Sequence, residues 1–476
     1  MMIAYLVLTT AIGLYLYKTN KSVQEYFIAK RGLGVALIIP LLFAETIAGA
    51  GTVGNAAEAF KVGISAVWAN WIYVGGYLAY VIFTLKFFRV LGTKMGIISV
   101  PEAYELMFDR KTRLLIMVLM CLALGIIFAV QPAAAGGILG PMFKISTTTA
   151  GWIAGIIFII VTCTGGLRGV AWMNVVHSLA MYLGMGIVAW FALSHIGGYS
   201  QLSATLPAQM FDFIQPDGWT VTAWVLGTAV TCLTSPVLTA VCLGADSLKT
   251  ARNGIIVGTL LIIPFAFLPA LIGMAAKAHL PATAGKTALF SMAAHTGPWA
   301  AGLASMAIIA AIFSTAPALL LLIVTSLTRD FYKIFKPEAN DAEQLRFSQI
   351  SAVLVGVLAT FLGMKASSIL MQIYGALQIR SVANVVLLLA LWWPRINATA
   401  AFWSILFGGT IAAVWHFAGS PYGIAPLWPS LAVGLPVLAV LTAIYNKEPV
   451  SAGYQKYREA LHEFEAEESQ GNPVSC

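Results

Sequence analysis

One carboxylate, Glu45, interrupts the apolar run Phe43-Ala-Glu-Thr-Ile-Ala-Gly-Ala-Gly-Thr-Val-Gly-Asn55, beside the hydroxyl of Thr46 and ahead of Gly49, Gly51 and Gly54. A carboxylate at bilayer depth costs roughly 3 kcal/mol on insertion scales, and each glycine weakens a helix interior by about 1 kcal/mol relative to alanine. A helix broken here frees backbone groups, which a membrane tolerates only against protein or a water-filled cavity. Glu45, Thr46 and the backbone at Gly49 therefore suit the capture of something polar in mid-membrane. A second constellation, Ala311, Ser314 and Thr315, is spaced i, i+3, i+4 and shares one helix face. A carbonyl and two hydroxyls are neutral oxygen ligands for a desolvated monovalent cation, and Pro317 frees the carbonyl of Phe313 one turn back. Alternatively, the hydroxyls bond their own helix beside a kink.

Arg380 falls midway along another apolar run, and its planar fork suits carboxylates. It could meet Glu45 directly, face it across a zwitterionic or carboxylate solute, or form an ion pair away from any ligand. Glu45 could instead carry protons. Thr234 and Ser235 stand just before Pro236, whose missing N–H interrupts a helix. Gln131, before Pro132, either bonds a solute or satisfies carbonyls freed by the proline.

These residues must be positioned by membrane helices. The chain is 59% hydrophobic and 10% charged, with a mean hydropathy of +0.86, whereas a soluble domain averages about 25% charged residues. Apolar runs long enough to span a bilayer, about 20 residues each, recur from end to end. We expect an all-α membrane protein with thirteen spans, near 2–18, 34–60, 64–90, 113–138, 147–164, 172–195, 220–244, 254–277, 298–327, 346–364, 370–392, 398–418 and 427–445. Lys and Arg crowd alternate connectors, for example Arg89 to Arg113, Lys249 with Arg252, and Arg329 to Arg346. The positive-inside rule puts that set in the cytoplasm, the N-terminus outside and the tail from Asn446 inside. The charged stretch Tyr454 to Ser469 is expected to be a solvated helix. The interrupted second and seventh spans are five apart, the pattern of inverted repeats. The expected organisation is a transmembrane domain over 1–445, with repeats at 34–195 and 220–392 and two additional helices over 398–445, followed by a cytoplasmic tail over 446–476.

Several functions find no support. Gly49-Ala-Gly51-Thr-Val-Gly54 matches the dinucleotide pattern but follows no strand and opens no βαβ unit. The net charge of +8 sits in short connectors and does not suggest nucleic acid. The five cysteines show no metal-ligand spacing, and His177 has no second ligand at helical spacing. No HExxH, P-loop or nucleophile elbow suggests an enzyme.

The motifs together resemble the sodium:solute symporter family. Ala311-Ile-Phe-Ser314-Thr315 followed by Thr325-Ser-Leu-Thr-Arg-Asp330-Phe-Tyr332-Lys is similar to its Ala-x-x-Ser-Ser helix and Thr-x-Asp-x-Tyr-Lys end. Glu25-Tyr-Phe-Ile-Ala-Lys-Arg31, Val100-Pro-Glu102, Gly165-Gly-Leu-Arg168-Gly-Val-Ala-Trp172 and Trp393-Pro-Arg395-Ile-Asn397 follow further family motifs in order. The resemblance implies two inverted five-helix repeats of the leucine-transporter architecture. It also implies a sodium ion held by carbonyls of Ala44, Ile47 and Ala311 and hydroxyls of Ser314 and Thr315. Met173-Asn174 replaces the family's frequent Thr-Asp and lacks the carboxylate of a second sodium site. Near the seventh-span break, Pro236 and Ala240-Val241 replace the family's Gln and Gln-Arg, so substrate contacts do not carry over there.

The expected function is sodium-coupled symport of a small polar organic solute, an amino acid or carboxylate favoured, by alternating access in a bacterial inner membrane. Its partners would be the solute, sodium and the bilayer, and its substrate residues Glu45, Thr46, Gly49, Gln131, Thr234, Ser235 and Arg380. The alternatives are proton coupling through Glu45 and a solute-sensing module working with a partner protein.

Overall fold

A computed structural model of the chain describes Tyr5, Ala11 and residues 22–215, 217–283, 285–364, 369–445 and 450–469. Apart from Tyr5 and Ala11, the first expected span lies outside the described residues. These are mostly helical, joined by short turns and loops, with one isolated backbone bridge between Leu33 and Ala245.

Helix α1 (Val35–Gly49) leads through a π turn (Ala50–Gly54) into α2 (Asn55–Val62). Then come α3 (Trp68–Phe83), α4 (Leu85–Met95), α5 (Val100–Met107), α6 (Arg110–Phe143) and α7 (Thr147–His195). The middle of the chain holds α8 (Gly218–Cys232), α9 (Pro236–Gly244), α10 (Leu248–His279), α11 (Ala288–Thr296) and α12 (Pro298–Ser326). Six more follow: α13 (Asp341–Gly363), α14 (Ile369–Gln378), α15 (Ser381–Trp392), α16 (Ala398–Phe417), α17 (Leu427–Ile444) and α18 (Ala452–Ser469).

Polar residues in the connectors start the helices where their side chains satisfy free amides. Asp109 caps α6 by accepting from the Thr112 amide at 2.8 Å, Ser247 caps α10 from Thr250 at 3.1 Å, and Asn397 caps α16 from Ala400 at 2.8 Å.

Among the described residues, nine helical runs are long and apolar enough to cross a membrane, and α8 with α9 forms a tenth span bent by 44°. Two of the nine are 49 residues long. At 1.5 Å per residue each would reach about 74 Å, more than twice the roughly 30 Å hydrocarbon core. Both break at a glycine with positive φ, Gly63 (φ 75°) and Gly166 (φ 55°). At Gly166 a Cβ would lie 2.8 Å from the Tyr26 carbonyl oxygen, so the Gly165-Gly motif makes the turn between two passes. Each 49-residue run thus supplies two passes, giving about twelve among the described residues.

Helix α12 is the centre of the bundle: 94% of its most apolar window is buried, against 28% for α17. It packs on α7, α6 and α1. Backbones approach closely through small residues, as membrane helices require. A Cβ on Gly273 would sit 2.2 Å from the Ala56 oxygen, and one on Gly363 only 1.6 Å from that of Ala129.

The structure corrects the expected solvated tail. Helix α18 buries Tyr457, Ala460 and Phe464 and packs on α4 and α5. The Tyr457 ring meets Phe87 edge-on at 5.0 Å. The outer face is solvated, with Glu465 paired to Lys86 at 2.8 Å and Glu467 to Lys94.

Candidate functional site

The break in α1 falls at Ala48 (φ 46°, ψ −170°), just ahead of the glycines. This conformation is almost confined to glycine and costs of order 1–3 kcal/mol. Gly51 serves contact: its Cβ would lie 2.2 Å from Asn70 Oδ1. Gly49 packs against Ile312 of α12.

Nearly every carbonyl around the break has a partner, as burial demands. Thr52 Oγ1 donates to the oxygens of Ala48 (3.2 Å) and Gly49 (3.3 Å), Asn70 Nδ2 to Gly51 (3.1 Å), and the Ala50 amide to Ile47. Two carbonyls of α1 face α12. Ser314 Oγ lies 2.7 Å from the Ala44 oxygen and 2.8 Å from that of Ala311. Thr315 Oγ1 lies 3.1 Å from the Glu45 oxygen and 3.1 Å from that of Ala311. The hydroxyls are 3.5 Å apart. Five oxygens thus converge with two hydroxyl protons among them, an excess of lone pairs that a cation would fill. Of the five residues named from sequence for a sodium ion, Ala44, Ala311, Ser314 and Thr315 meet here. The Ile47 carbonyl accepts from the Ala50 amide, and the Glu45 carbonyl faces Thr315.

A cavity adjoins this cluster; Glu45, Thr46, Tyr77, Ser235, Thr315 and Arg380 are among its walls. Glu45 is 8% exposed and its Oε1 has no hydrogen-bond partner. Thr46 Oγ1 bonds the Leu42 carbonyl at 2.7 Å and the Tyr77 hydroxyl at 2.8 Å.

The second break repeats the logic of the first. Arg380 stands at a break between α14 and α15, where a continuous eleventh span is expected from the sequence. Its Nη1 donates to the Thr234 carbonyl at 2.9 Å and its Nη2 to that of Thr231 at 3.5 Å. Asn384 Nδ2 donates to the carbonyls of Val230 (3.0 Å) and Thr231 (3.1 Å), and its Oδ1 accepts from the Thr234 hydroxyl. Ser235 Oγ caps α9 through the Leu238 amide at 3.4 Å. Arg380 therefore holds the end of α8 and forms no direct ion pair with Glu45. Both side chains border the same cavity, and Arg380 Nε has no partner. Gln131 is fully buried, donates to the Ile127 carbonyl of its own helix at 3.2 Å, and does not line the cavity.

A second cavity meets the first at Glu45, Pro236 and Val237 and reaches Ser99 and Ser326. Both serines donate to the fully buried Asp330, at 2.6 and 2.7 Å. Asp330 pairs with Arg113 at 2.9 Å; Arg113 also meets Glu102 at 3.3 Å and Glu105, and Arg329 meets Glu102 at 2.9 Å. This network closes the bundle at its basic end. Val100-Pro-Glu102 and Arg329-Asp330 were visible as motifs, but more than 200 positions separate their residues, and nothing local joins them.

The family model of the sodium:solute symporter family matches residues 26–408. The osmoregulated proline transporter OpuE of Bacillus subtilis is 22% identical over 478 residues, 95% of this chain and 96% of the relative. The sodium/pantothenate symporter of Escherichia coli is 25% identical over 458 residues, 91% and 94% of the two chains. Among solved structures, a Na+-coupled sialic acid symporter in a substrate-bound outward-open state superposes with a TM-score of 0.79 at 19% identity, covering 95% of this chain and 98% of that one. That likeness establishes the fold, which is the helical architecture expected of leucine-transporter-like proteins. With the family model spanning most of its length, the chain belongs to the sodium:solute symporter family.

Proposed function

We propose that this symporter imports a small zwitterionic or carboxylate solute, an amino acid or carboxylate favoured, with sodium bound between α1 and α12. The main support is the convergence of the Ala44, Glu45 and Ala311 carbonyls with the Ser314 and Thr315 hydroxyls, beside a cavity bordered by an acid and a guanidinium. An ammonium group would meet the Glu45 carboxylate and a carboxylate the Arg380 guanidinium, whose Oε1 and Nε are buried without partners. The printed names of the relatives, proline and pantothenate transporters, agree with a carboxylate-bearing solute. Sodium, bound first, would fix the α1 break and complete the cavity, and each ion entering would contribute about 2.3 kcal/mol per 100 mV.

In this reading the repeats run over 34–195 and 220–392, rocking about the two breaks. The protein sits in a bacterial inner membrane with its basic connectors and tail in the cytoplasm and its N-terminus outside. It carries out transport without catalysis. A thermal-shift screen of amino acids, carboxylates and sugars, with and without sodium, tests the reading. A solute that stabilises the protein only with sodium is expected; stabilisation by solute alone, indifferent to sodium, would refute the coupling.

Proton coupling keeps one specific support: Glu45, with an unpartnered oxygen, borders both cavities and could pass a proton between them. Uptake that persists in choline medium and is abolished by collapsing the pH gradient would select it over sodium.

A further inference from the structure

Three of the six histidines of the chain meet at the end of the bundle opposite the basic connectors. His195 is the last residue of α7, His279 the last of α10, and His295 lies in the final turn of α11. Their ligand nitrogens all lie within 4.8 Å of one another and all three residues are exposed. The Nε2 atoms of His279 and His295 face each other at 3.0 Å. The ring centroids are 4.8, 4.9 and 5.2 Å apart. Neither cavity and none of the carbonyls at the two breaks involves these residues. Among the described residues no carboxylate or thiol joins the trio.

We propose that His195, His279 and His295 form a binding site for a transition-metal ion of the zinc type, with solvent in the fourth position. Imidazole nitrogen suits zinc, copper and nickel, whereas sodium prefers oxygen. A tetrahedral zinc ion with Zn–N bonds of about 2.0–2.1 Å holds two ligand nitrogens about 3.3 Å apart. The His279–His295 pair already has that spacing to within a few tenths of an ångström. The third ring closes from at most 4.8 Å, a shift that rotation of an exposed side chain supplies. The ion would tie α11, a short helix in the connector between α10 and α12, to the ends of two long helices, and so restrain that connector.

The test uses the full chain without a polyhistidine tag, titrated with Zn2+ against a competing chelator. One zinc ion per chain is expected, with affinity falling at least about tenfold in each of His195→Ala, His279→Ala and His295→Ala. His462→Ala, in the exposed face of α18, should leave binding unchanged. Replacement by Co2+ in the unmodified chain should give the intense visible absorption of a four-coordinate ion, a readout independent of how well any variant folds. Absence of a stoichiometric zinc ion, absence of that spectrum, or undiminished zinc affinity in the three variants would each overturn the proposal.

Discussion

Replacing Ser314 by alanine removes one of the five oxygens at the α1–α12 junction while leaving the backbone carbonyls in place. In the structure its hydroxyl lies between the Ala44 and Ala311 oxygens, at 2.7 and 2.8 Å, too few protons for the acceptors it faces. A polar contact to a charged partner contributes about 1.5–3 kcal/mol. Taking about 2 kcal/mol, the sodium dissociation constant should rise about 30-fold. The effect can be read without knowing the solute. At a sodium concentration of about 100 times the wild-type Kd, binding stabilises the protein by about 2.7 kcal/mol. The same concentration is then only about three times the variant's Kd and stabilises it by about 0.9 kcal/mol. The assay is the sodium-dependent rise in Tm with potassium as the ionic-strength control. Thr315→Ser, which keeps the oxygen facing Glu45 and Ala311, should retain most of the shift. An undiminished sodium shift in both Ser314→Ala and Thr315→Ala would refute the cation site.

Glu45→Gln keeps the backbone oxygen that meets Thr315 but removes the charge facing the cavity. Solute affinity should fall about 10- to 150-fold while the sodium-only thermal shift persists; normal solute binding in both this variant and Arg380→Gln would exclude solute contact by either group. Gly363→Ala puts a Cβ 1.6 Å from the Ala129 oxygen, so α13 must move off α6, and a loss of about 1–3 kcal/mol or more should appear in thermal melts. The Lys86 ammonium, hydrogen-bonded to Glu465, holds that exposed carboxyl below its ordinary value. Because the docked-state pKa is lowered, this contribution to docking of α18 is complete above the unpaired value of about 4.3 and is lost as pH falls through the docked value. Limited proteolysis of α18, or its exchange protection after correction for the intrinsic pH dependence of amide exchange, should therefore show looser docking in acid and, through screening, in high salt.

Much of this architecture is written in local pattern. The apolar runs, the caps at Asp109, Ser247 and Asn397, and the interruption before Pro236 each follow from a residue's own chemistry. The shared face of Ala311, Ser314 and Thr315 follows from helical period alone. What escaped was set by contacts distant in the chain. Ala48 adopts a backbone conformation that its own Cβ disfavours, so only the surrounding packing dictates the position of the break. The glycines that drew attention to the region act instead by closeness, Gly51 to Asn70 and Gly49 to Ile312. Arg380 suggested a partner of opposite charge, yet it caps the Thr231 and Thr234 carbonyls, because a broken helix presents acceptors that no span prediction counts. The Tyr454 to Ser469 stretch looked fully solvated because charge masks the narrow stripe of Tyr457, Ala460 and Phe464.

The two cavities meet at Glu45, Pro236 and Val237, so the septum between them is one layer of side chains thick. Each of its residues belongs to a helix that is already interrupted, α1 or α9, where the backbone is not committed to a continuous hydrogen-bonded ladder. Moving the barrier from one side of a bound solute to the other would therefore need reorientation of two half-helices rather than dismantling of the bundle. The same thinness leaves little redundancy against slippage. Tight coupling, with no ion crossing unaccompanied, would depend on the bulk of a few side chains, and trimming Val237, which borders both cavities, would test the seal.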